Sequence, residues 1–223
     1  MCWSTVVSES SIGVIVLAAG ASRRMGESKQ LLRYEGETLL RRATRAALDS
    51  QCRPVIVVLG ARADALRAAL EDENAGTEAH ILINRNWAEG MSSSIRSGLA
   101  ALEALTEERA RAVVLTLCDQ PFVTGHVINR LRETYETTCA PLVAAEYESH
   151  NETTRGVPAL FSRALFPELR CLRGHEGAKP IIERHVAEAA IVAVPEAAFD
   201  VDTPHDYRVL LSFKVVDDAD TKS

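Results

Sequence analysis

The chain has 223 residues, of which 47% are hydrophobic and 25% charged, with a formal net charge of −6 at pH 7. This composition is ordinary for a globular protein with a core of its own and is most simply that of one domain. The net negative charge argues against non-specific nucleic-acid binding, and the lack of an apolar run near ~20 residues argues against a membrane span.

Short apolar runs alternate along the chain with segments of helical periodicity. The apolar runs are 12–20 (IGVIVLAAG), 54–60, 79–84, 112–119, 141–147 and 190–195. The helical segments are 37–50, 63–73, 92–108 and 124–138. Continuous apolar runs rich in Ile and Val are typical of strands buried on both faces of a parallel sheet. The alternation therefore predicts an open, mostly parallel α/β sheet with helices on both faces.

We expect a single domain over residues 12–211, between a flexible tail at 1–11 and a flexible acidic tail at 212–223. The N-terminal segment has neither the basic start nor the long apolar stretch of a signal peptide. The five cysteines are scattered without a C-x-x-C pair. That pattern favours reduced thiols and a cytoplasmic protein.

The first apolar run leads into the loop LAAGASRRMGESK (17–29), where an open α/β sheet would bind its ligand. Gly20 permits a tight turn, and backbone N–H groups after a strand can cradle an anion. Arg23, Arg24 and Lys29 add positive charge, which suits a nucleoside triphosphate. The spacing fits neither a Walker A loop nor a dinucleotide fingerprint. On spacing alone, a phosphate site and a solvated loop that carries arginine remain equally open.

This loop also matches the pattern L-A-A-G-x-S-x-R-M-G-x-x-K at every fixed position. By this motif the chain resembles the nucleotidyltransferases similar to molybdenum cofactor cytidylyltransferase. The resemblance implies a Rossmann-like, three-layer α/β/α nucleotidyltransferase fold and catalytic roles for Arg24 and Lys29. The nucleotide-binding residues that it implies here are Leu17, Ala18, Ala19, Gly20, Ser22, Arg23, Arg24 and Lys29.

Asp119 ends the apolar run 112–119 and stands two residues before Pro121. A carboxylate at the end of a strand, facing a triphosphate, suits Mg²⁺, which takes one or two carboxylates together with phosphate oxygens and water. The alternative is an aspartate that forms a turn before the proline. The family resemblance implies that Asp119 is catalytic and binds the metal.

The segment FDVDTPHDY (199–207) resembles the family's D-I-D-T-P-E-D-Y, which implies that Asp202 is a second metal ligand. Thr203 and Pro204 are also the residue types that cap and begin a helix. The segment could therefore be a capping device in which Asp200 or Asp202 only favours the helix dipole.

The segment NRNWAEGMSSSIRSGL (84–99) resembles the family's G-M-x-x-S-[IL]-x-x-G-L. It implies four more nucleotide-binding residues, namely Gly90, Ser93, Ser94 and Gly98. Serine hydroxyls and the amides at the start of a helix can hydrogen-bond a base or a ribose. Alternatively, the serines cap the helix and Gly98 allows it to pack closely. Helix capping and ligand binding are compatible, since a capping serine can also face a ligand.

Two further resemblances fall where the acceptor is expected. RGVPALF (155–161) resembles G-x-P-x-L-F, and LRGHEGAKPII (172–182) resembles L-x-G-D-x-G-A, with His175 in place of the aspartate. We assign no role to His175. The sequence Ala18-Ala19-Gly20 is similar to the cytidylyl form of the family, which favours CTP as the donor.

The resemblance, taken with these residues, implies Mg²⁺-dependent transfer of CMP from CTP to the phosphate of the molybdopterin cofactor, with release of pyrophosphate. A molybdoenzyme that receives the product is a further expected partner. Two alternatives stay open. One is a nucleotidyltransferase with another phosphorylated acceptor, such as a sugar or polyol phosphate. The other is a molybdenum-cofactor carrier that does not catalyse a reaction.

Overall fold

The computed structural model describes residues 11–71, 78–149 and 152–217. The predicted tails therefore lie outside the described residues, apart from residue 11 and residues 212–217. Among the described residues, no helix is both long and apolar enough to cross a membrane.

The structure contains nine strands and seven α-helices in its described part. The strands are β1 (Ile12–Ala18), β2 (Arg33–Tyr34), β3 (Glu37–Thr38), β4 (Val55–Leu59), β5 (His80–Ile83), β6 (Ala112–Leu117), β7 (Leu142–Ser149), β8 (Glu152–Ser162) and β9 (Ala190–Ala193). The helices are α1 (Leu39–Asp49), α2 (Ala63–Glu71), α3 (Met91–Leu105), α4 (Gly125–Thr138), α5 (Phe166–Cys171), α6 (Lys179–Arg184) and α7 (Pro204–Asp217).

Seven strands form one sheet in the order β5-β4-β1-β6-β8-β7-β9, and β2 pairs with β3 in a separate hairpin. β8 is antiparallel to both of its neighbours, while the other pairs in the large sheet are parallel. The predicted mostly parallel sheet is confirmed. Because β1 lies in the middle of the parallel part, the loop that follows it lies near the centre of the sheet edge.

Side chains of β1 alternate between the two faces of the sheet, as strand geometry requires. Val14 and Val16 pack on the face covered by α1, α2 and α4. Ile15 and Leu17 pack on the face covered by α3, α5 and α6. The two cores confirm the predicted three-layer arrangement with helices on both sides.

The sequence did not predict β8, whose motif RGVPALF contains Gly156 and Pro158. Both residue types disfavour a strand interior, and proline cannot donate to the ladder. The pairing register of β7 with β8 shifts between Ala144 and Ala145, whose partners are Ala159 and Gly156. Pro158 lies within this bulge, where the ladder does not need its missing N–H.

The last helix, α7, continues past residue 211, where we placed the end of the domain, to Asp217. Leu210 is buried in a third cluster with Met25, Leu32, Tyr34, Leu39 and Val201. The helix thereby packs against the loop that follows β1.

Candidate active site

A cavity of about 420 Å³ lies at the carboxyl ends of β1 and β6. Twelve of the predicted site residues line it: Leu17, Ala18, Ala19, Gly20, Ser22, Arg23, Arg24, Lys29, Gly90, Ser94, Asp119 and Asp202. The side chains come from four separate parts of the chain, which the parallel sheet brings to one edge.

The loop after β1 turns through two residues in the left-handed region, Ser22 with φ 52° and Gly26 with φ 80°. Between them, Met25 is buried in the third cluster and anchors the loop to α7. Gly20, which the sequence suggested as the turning residue, has no such backbone angle. A Cβ at Gly20 would meet no atom within 4 Å, so this residue leaves open space in the cavity wall.

Gln30 organises the same loop, and the sequence analysis missed it. Its Nε2 donates to the carbonyl oxygens of Ala18 at 3.0 Å and Gly20 at 2.7 Å. Its Oε1 accepts from the hydroxyls of Ser22 at 3.0 Å and Ser28 at 3.2 Å. No motif marks such a residue, because its role depends on contacts that only the folded loop makes.

The Lys29 ammonium lies between two carboxylates. Its Nζ donates to Asp119 Oδ2 in a short hydrogen bond and to Asp202 Oδ1 at 2.8 Å. Arg24 donates to the other oxygen of Asp202, also at 2.8 Å. Only 14% of the Lys29 and Asp119 side chains is exposed, against 71% of Arg24. The structure thus brings together two of the three loop cations, Arg24 and Lys29, and the two carboxylates expected to bind the metal.

Burial acts against the charged form of Lys29, but the charge of Asp119 and the hydrogen bonds to both carboxylates outweigh it. The pKa of the Lys29 ammonium is therefore raised above its ordinary value. Burial also acts against the charge on Asp202, yet Lys29 and Arg24 hold the pKa of that carboxyl below its ordinary value. Burial and the charge of Asp119 raise the pKa of the Cys118 thiol to about 12, so this cysteine stays a neutral packing residue.

A capping box, rather than Asp202, begins α7. The Asp206 carboxylate accepts from the Thr203 backbone N–H at 2.7 Å, and the Thr203 hydroxyl accepts from the Asp206 N–H at 3.3 Å. The Asp202 carboxylate is therefore available to the cavity. The Val201 N–H donates to the Asp119 carbonyl oxygen at 2.9 Å, which fastens this segment beside the end of β6.

The carboxylates suit a divalent metal. Asp119 Oδ1 is buried and has no hydrogen-bond partner within the described structure. Asp119 and Asp202 both reach one Nζ atom, so their oxygens lie close together. No cluster of three or more His, Cys, Asp or Glu side chains with metal-ligand geometry occurs among the described residues. Two carboxylates that leave other positions to water and phosphate are the donor set that Mg²⁺ commonly uses.

The serines at the start of α3 have different surroundings. Ser94 lines the cavity and accepts from Asn84 Nδ2 at 3.1 Å. Ser93 is buried and donates to the Asn86 and Gly90 carbonyl oxygens, so its hydroxyl stabilises the turn rather than lining the cavity. Gly98 does not line the cavity either. It faces the sheet, where an added Cβ would lie 2.8 Å from the Ile15 side chain. It allows α3 to pack closely on the sheet, which was the alternative reading.

Gly90 brings a second loop to the cavity. Its φ of 112° suits only glycine, and a Cβ there would lie 2.3 Å from the Gly174 carbonyl oxygen. The Ser92 hydroxyl donates to that oxygen at 2.7 Å, and Arg96 donates to the Leu172 carbonyl oxygen at 2.6 Å. These contacts dock residues 172–178 on the start of α3. His175 consequently lines the cavity, as does Trp87, to which the sequence gave no role.

A second cavity of about 460 Å³ adjoins the first and shares Leu17, Met91 and Leu117 with it. Its remaining wall comes mainly from β7, β8 and the start of α6, and is completed by Ile95, Leu115 and Asp200. Both motifs that the sequence placed on the acceptor side contribute to this wall, including Arg155 and Lys179.

Comparison with known proteins gives a family match over most of the chain. A profile of the MobA-like NTP transferase domain matches residues 14–189. Nicotine blue oxidoreductase of Paenarthrobacter nicotinovorans is 30% identical over 204 residues, 88% of this chain and 95% of that protein. Molybdenum cofactor cytidylyltransferase of Escherichia coli (strain K12) is 30% identical over 122 residues, 55% of this chain and 58% of that enzyme.

A solved structure shares the fold over nearly the whole length. The crystal structure of Rv0371c from Mycobacterium tuberculosis H37Rv superposes with a TM-score of 0.76 at 32% identity, covering 92% of this chain and 100% of that one. A complex of Rv0371c with manganese superposes with a TM-score of 0.71 at 32% identity, covering 91% and 99% of the two chains.

Proposed function

The chain belongs to the family of MobA-like NTP transferase domains, and on that premise we propose that it transfers CMP from CTP to the phosphate of the molybdopterin cofactor. Pyrophosphate is the second product. The observation that carries the proposal is the Lys29 ammonium, held between Asp119 and Asp202 in the cavity at the end of β1.

Lys29 and Arg24 bind the triphosphate and stabilise the charge that develops on the leaving pyrophosphate. Phosphoryl chemistry of this kind depends on positioning and charge neutralisation more than on a covalent nucleophile. The attacking phosphate of the acceptor is already ionised near neutral pH, since its second pKa is about 6. The chain therefore needs no general base, and we assign none.

Asp119 and Asp202 would hold Mg²⁺. When bound, the metal neutralises charge on phosphate oxygens in the transition state. The manganese complex of the related Rv0371c supports the use of a divalent metal by this chain.

The base and the acceptor are assigned to different cavities. Ala18 and Ala19 narrow the wall of the first cavity, Ser94 offers a hydroxyl, and Trp87 offers an aromatic surface, which together favour a pyrimidine. The second cavity has an apolar floor and carries Arg155 and Lys179 together with the acidic residues Glu152 and Asp200, a mixed lining that suits a phosphorylated polar heterocycle such as molybdopterin. The relative named molybdenum cofactor cytidylyltransferase supports this acceptor. A molybdoenzyme would then receive the product.

Pyrophosphate release tests the proposal. Purified protein is incubated with Mg²⁺, one nucleoside triphosphate at a time and molybdopterin, and then with sugar and polyol phosphates in place of molybdopterin. Release with CTP and molybdopterin, abolished by chelation of the metal, is the expected result. Release only with a sugar or polyol phosphate would reassign the acceptor, and preference for GTP would reassign the base. Binding of molybdopterin nucleotide without turnover would indicate a carrier.

A further inference from the structure

We propose that Gln30 is a positioning residue that holds the loop after β1, and with it Lys29, in the ligand-binding arrangement before any ligand arrives. The inference rests on the proposed function for what the loop binds. It assigns no contact with nucleotide to Gln30.

The Gln30 amide has no hydrogen-bonding capacity left for a ligand. A glutamine side chain offers two N–H donors and an oxygen with two lone pairs. The donors are used by the Ala18 and Gly20 carbonyl oxygens and the lone pairs by the Ser22 and Ser28 hydroxyls. Only 1% of the residue is exposed. The side chain therefore acts through the loop that it binds.

These hydrogen bonds determine which backbone groups of the loop face the cavity. The carbonyl oxygens of Ala18 and Gly20 are held on the Gln30 amide and cannot turn towards an anion. Without that amide, two carbonyl dipoles beside the cavity would be free to oppose a bound triphosphate. The four bonds connect the end of β1 to both Ser22 and Ser28, so they span nearly the whole loop.

Ser22 extends the same network to Lys29. Its hydroxyl donates to Gln30 and accepts from the Lys29 backbone N–H at 3.1 Å. Lys29 and Gln30 lie next to each other in a short 3₁₀ turn, Lys29–Leu31. Gln30 points into the loop while Lys29 reaches Asp119 and Asp202. Fixing Gln30 thus fixes the backbone from which the Lys29 ammonium projects.

Three variants and one control test the inference. Gln30→Met keeps the size and removes all four hydrogen bonds. Gln30→Glu removes both donors and sets carboxylate oxygens against two carbonyl oxygens. Ser28→Ala removes a single bond, and gives a measurable protein if the other two fail to fold. Gln51→Glu makes the matched change at an exposed glutamine that pairs with Arg132, outside both cavities.

The first measurement is steady-state kinetics below the unfolding temperature. For Gln30→Met and Gln30→Glu we expect KM for CTP to rise and kcat to fall, with kcat/KM reduced on the order of 10²-fold by misplacement of the loop. KM for the acceptor should not change, Ser28→Ala should be intermediate, and Gln51→Glu should match wild type. A merely structural role would leave both constants normal per folded molecule, and that result would overturn the inference.

Hydrogen exchange of the peptide containing residues 18–30, without nucleotide, separates this inference from the proposed function. Faster exchange in Gln30→Met than in wild type and Gln51→Glu supports the positioning role even if the wild type transfers no nucleotide. Equal exchange in all of them overturns it, even if the wild type is an active cytidylyltransferase.

Discussion

Replacing Lys29 by methionine should destabilise the metal-free protein, because Asp119 then loses its cationic partner. Removing one partner of a buried ion pair costs about 3–5 kcal/mol. The Asp119 side chain is 14% exposed, and the Asp202 side chain is 32% exposed and keeps its ion pair with Arg24. We therefore expect a smaller decrease in the free energy of unfolding. A loss of about 2 kcal/mol corresponds to a decrease in Tm of roughly 4–8 °C for a chain of this size.

A divalent metal should reverse the effect. Once the Lys29 ammonium is removed, none of the described ion pairs supplies Asp119 with a cation, so Mg²⁺ or Mn²⁺ should raise the Tm of Lys29→Met more than that of wild type. Turnover should nevertheless fall on the order of 10²–10³, since a charge-stabilising donor is lost. Thermal unfolding at constant ionic strength, with metal or with chelator, measures the change in Tm. Single-turnover kinetics with Mg·CTP measures the loss of turnover.

Arg67→Met is the control, since it removes one member of an exposed ion pair with Glu71. Exposed pairs contribute about 0–1 kcal/mol, so its Tm should change little and its response to metal should be that of wild type. The reasoning is refuted if Lys29→Met is as stable as wild type in chelator and gains no extra stability from metal. Turnover near the wild-type rate would separately remove Lys29 from the mechanism.

Three further predictions concern the carboxylate, the docked loop and the helix cap. Asp119→Asn should abolish metal-dependent turnover and reduce the thermal shift caused by Mg²⁺ while the domain stays folded; activity that persists in chelator would contradict the metal assignment. Gly90→Ala should lower the Tm by more than Gly36→Ala does, because both have positive φ but only Gly90 meets the Gly174 carbonyl; equal shifts would leave backbone strain as the sole cause. Asp206→Ala should cost about 1 kcal/mol, or roughly 2–4 °C in Tm, through loss of the capping box; an unchanged Tm would show that the cap is dispensable.

The sequence predicted those parts of the fold whose signal is local. The runs that became β1, β4 and β6 are almost entirely apolar because both faces of these strands are buried. β8 was missed because its glycine and proline are tolerated only through a register shift relative to β7. That shift is a property of the pair and not of either segment.

In the candidate site, too, residues with a local sequence signal were predicted, and residues whose role depends on folded contacts were not. Lys29, Asp119 and Asp202 could be singled out because their residue types and motif positions carry the chemistry. Gln30 could not be, since a glutamine beside a motif has no distinctive pattern until its four partners surround it. Ser93 and Gly98, which the motif placed at the nucleotide, do not line the first cavity. Their motif positions follow from turn geometry and helix packing as readily as from ligand contact.

The two carboxylates that meet the Lys29 ammonium stand 90 and 173 positions after it in the chain. During synthesis, a ribosome has therefore already made the loop after β1 and all seven strands of the large sheet before it adds Asp202. A truncated product that stops short of residue 199 would keep Arg24, Lys29 and Asp119 but lack the second carboxylate. Premature termination would then yield a protein that lacks one of the two proposed metal ligands and also Val201 and Leu210, against which Met25 of the loop packs.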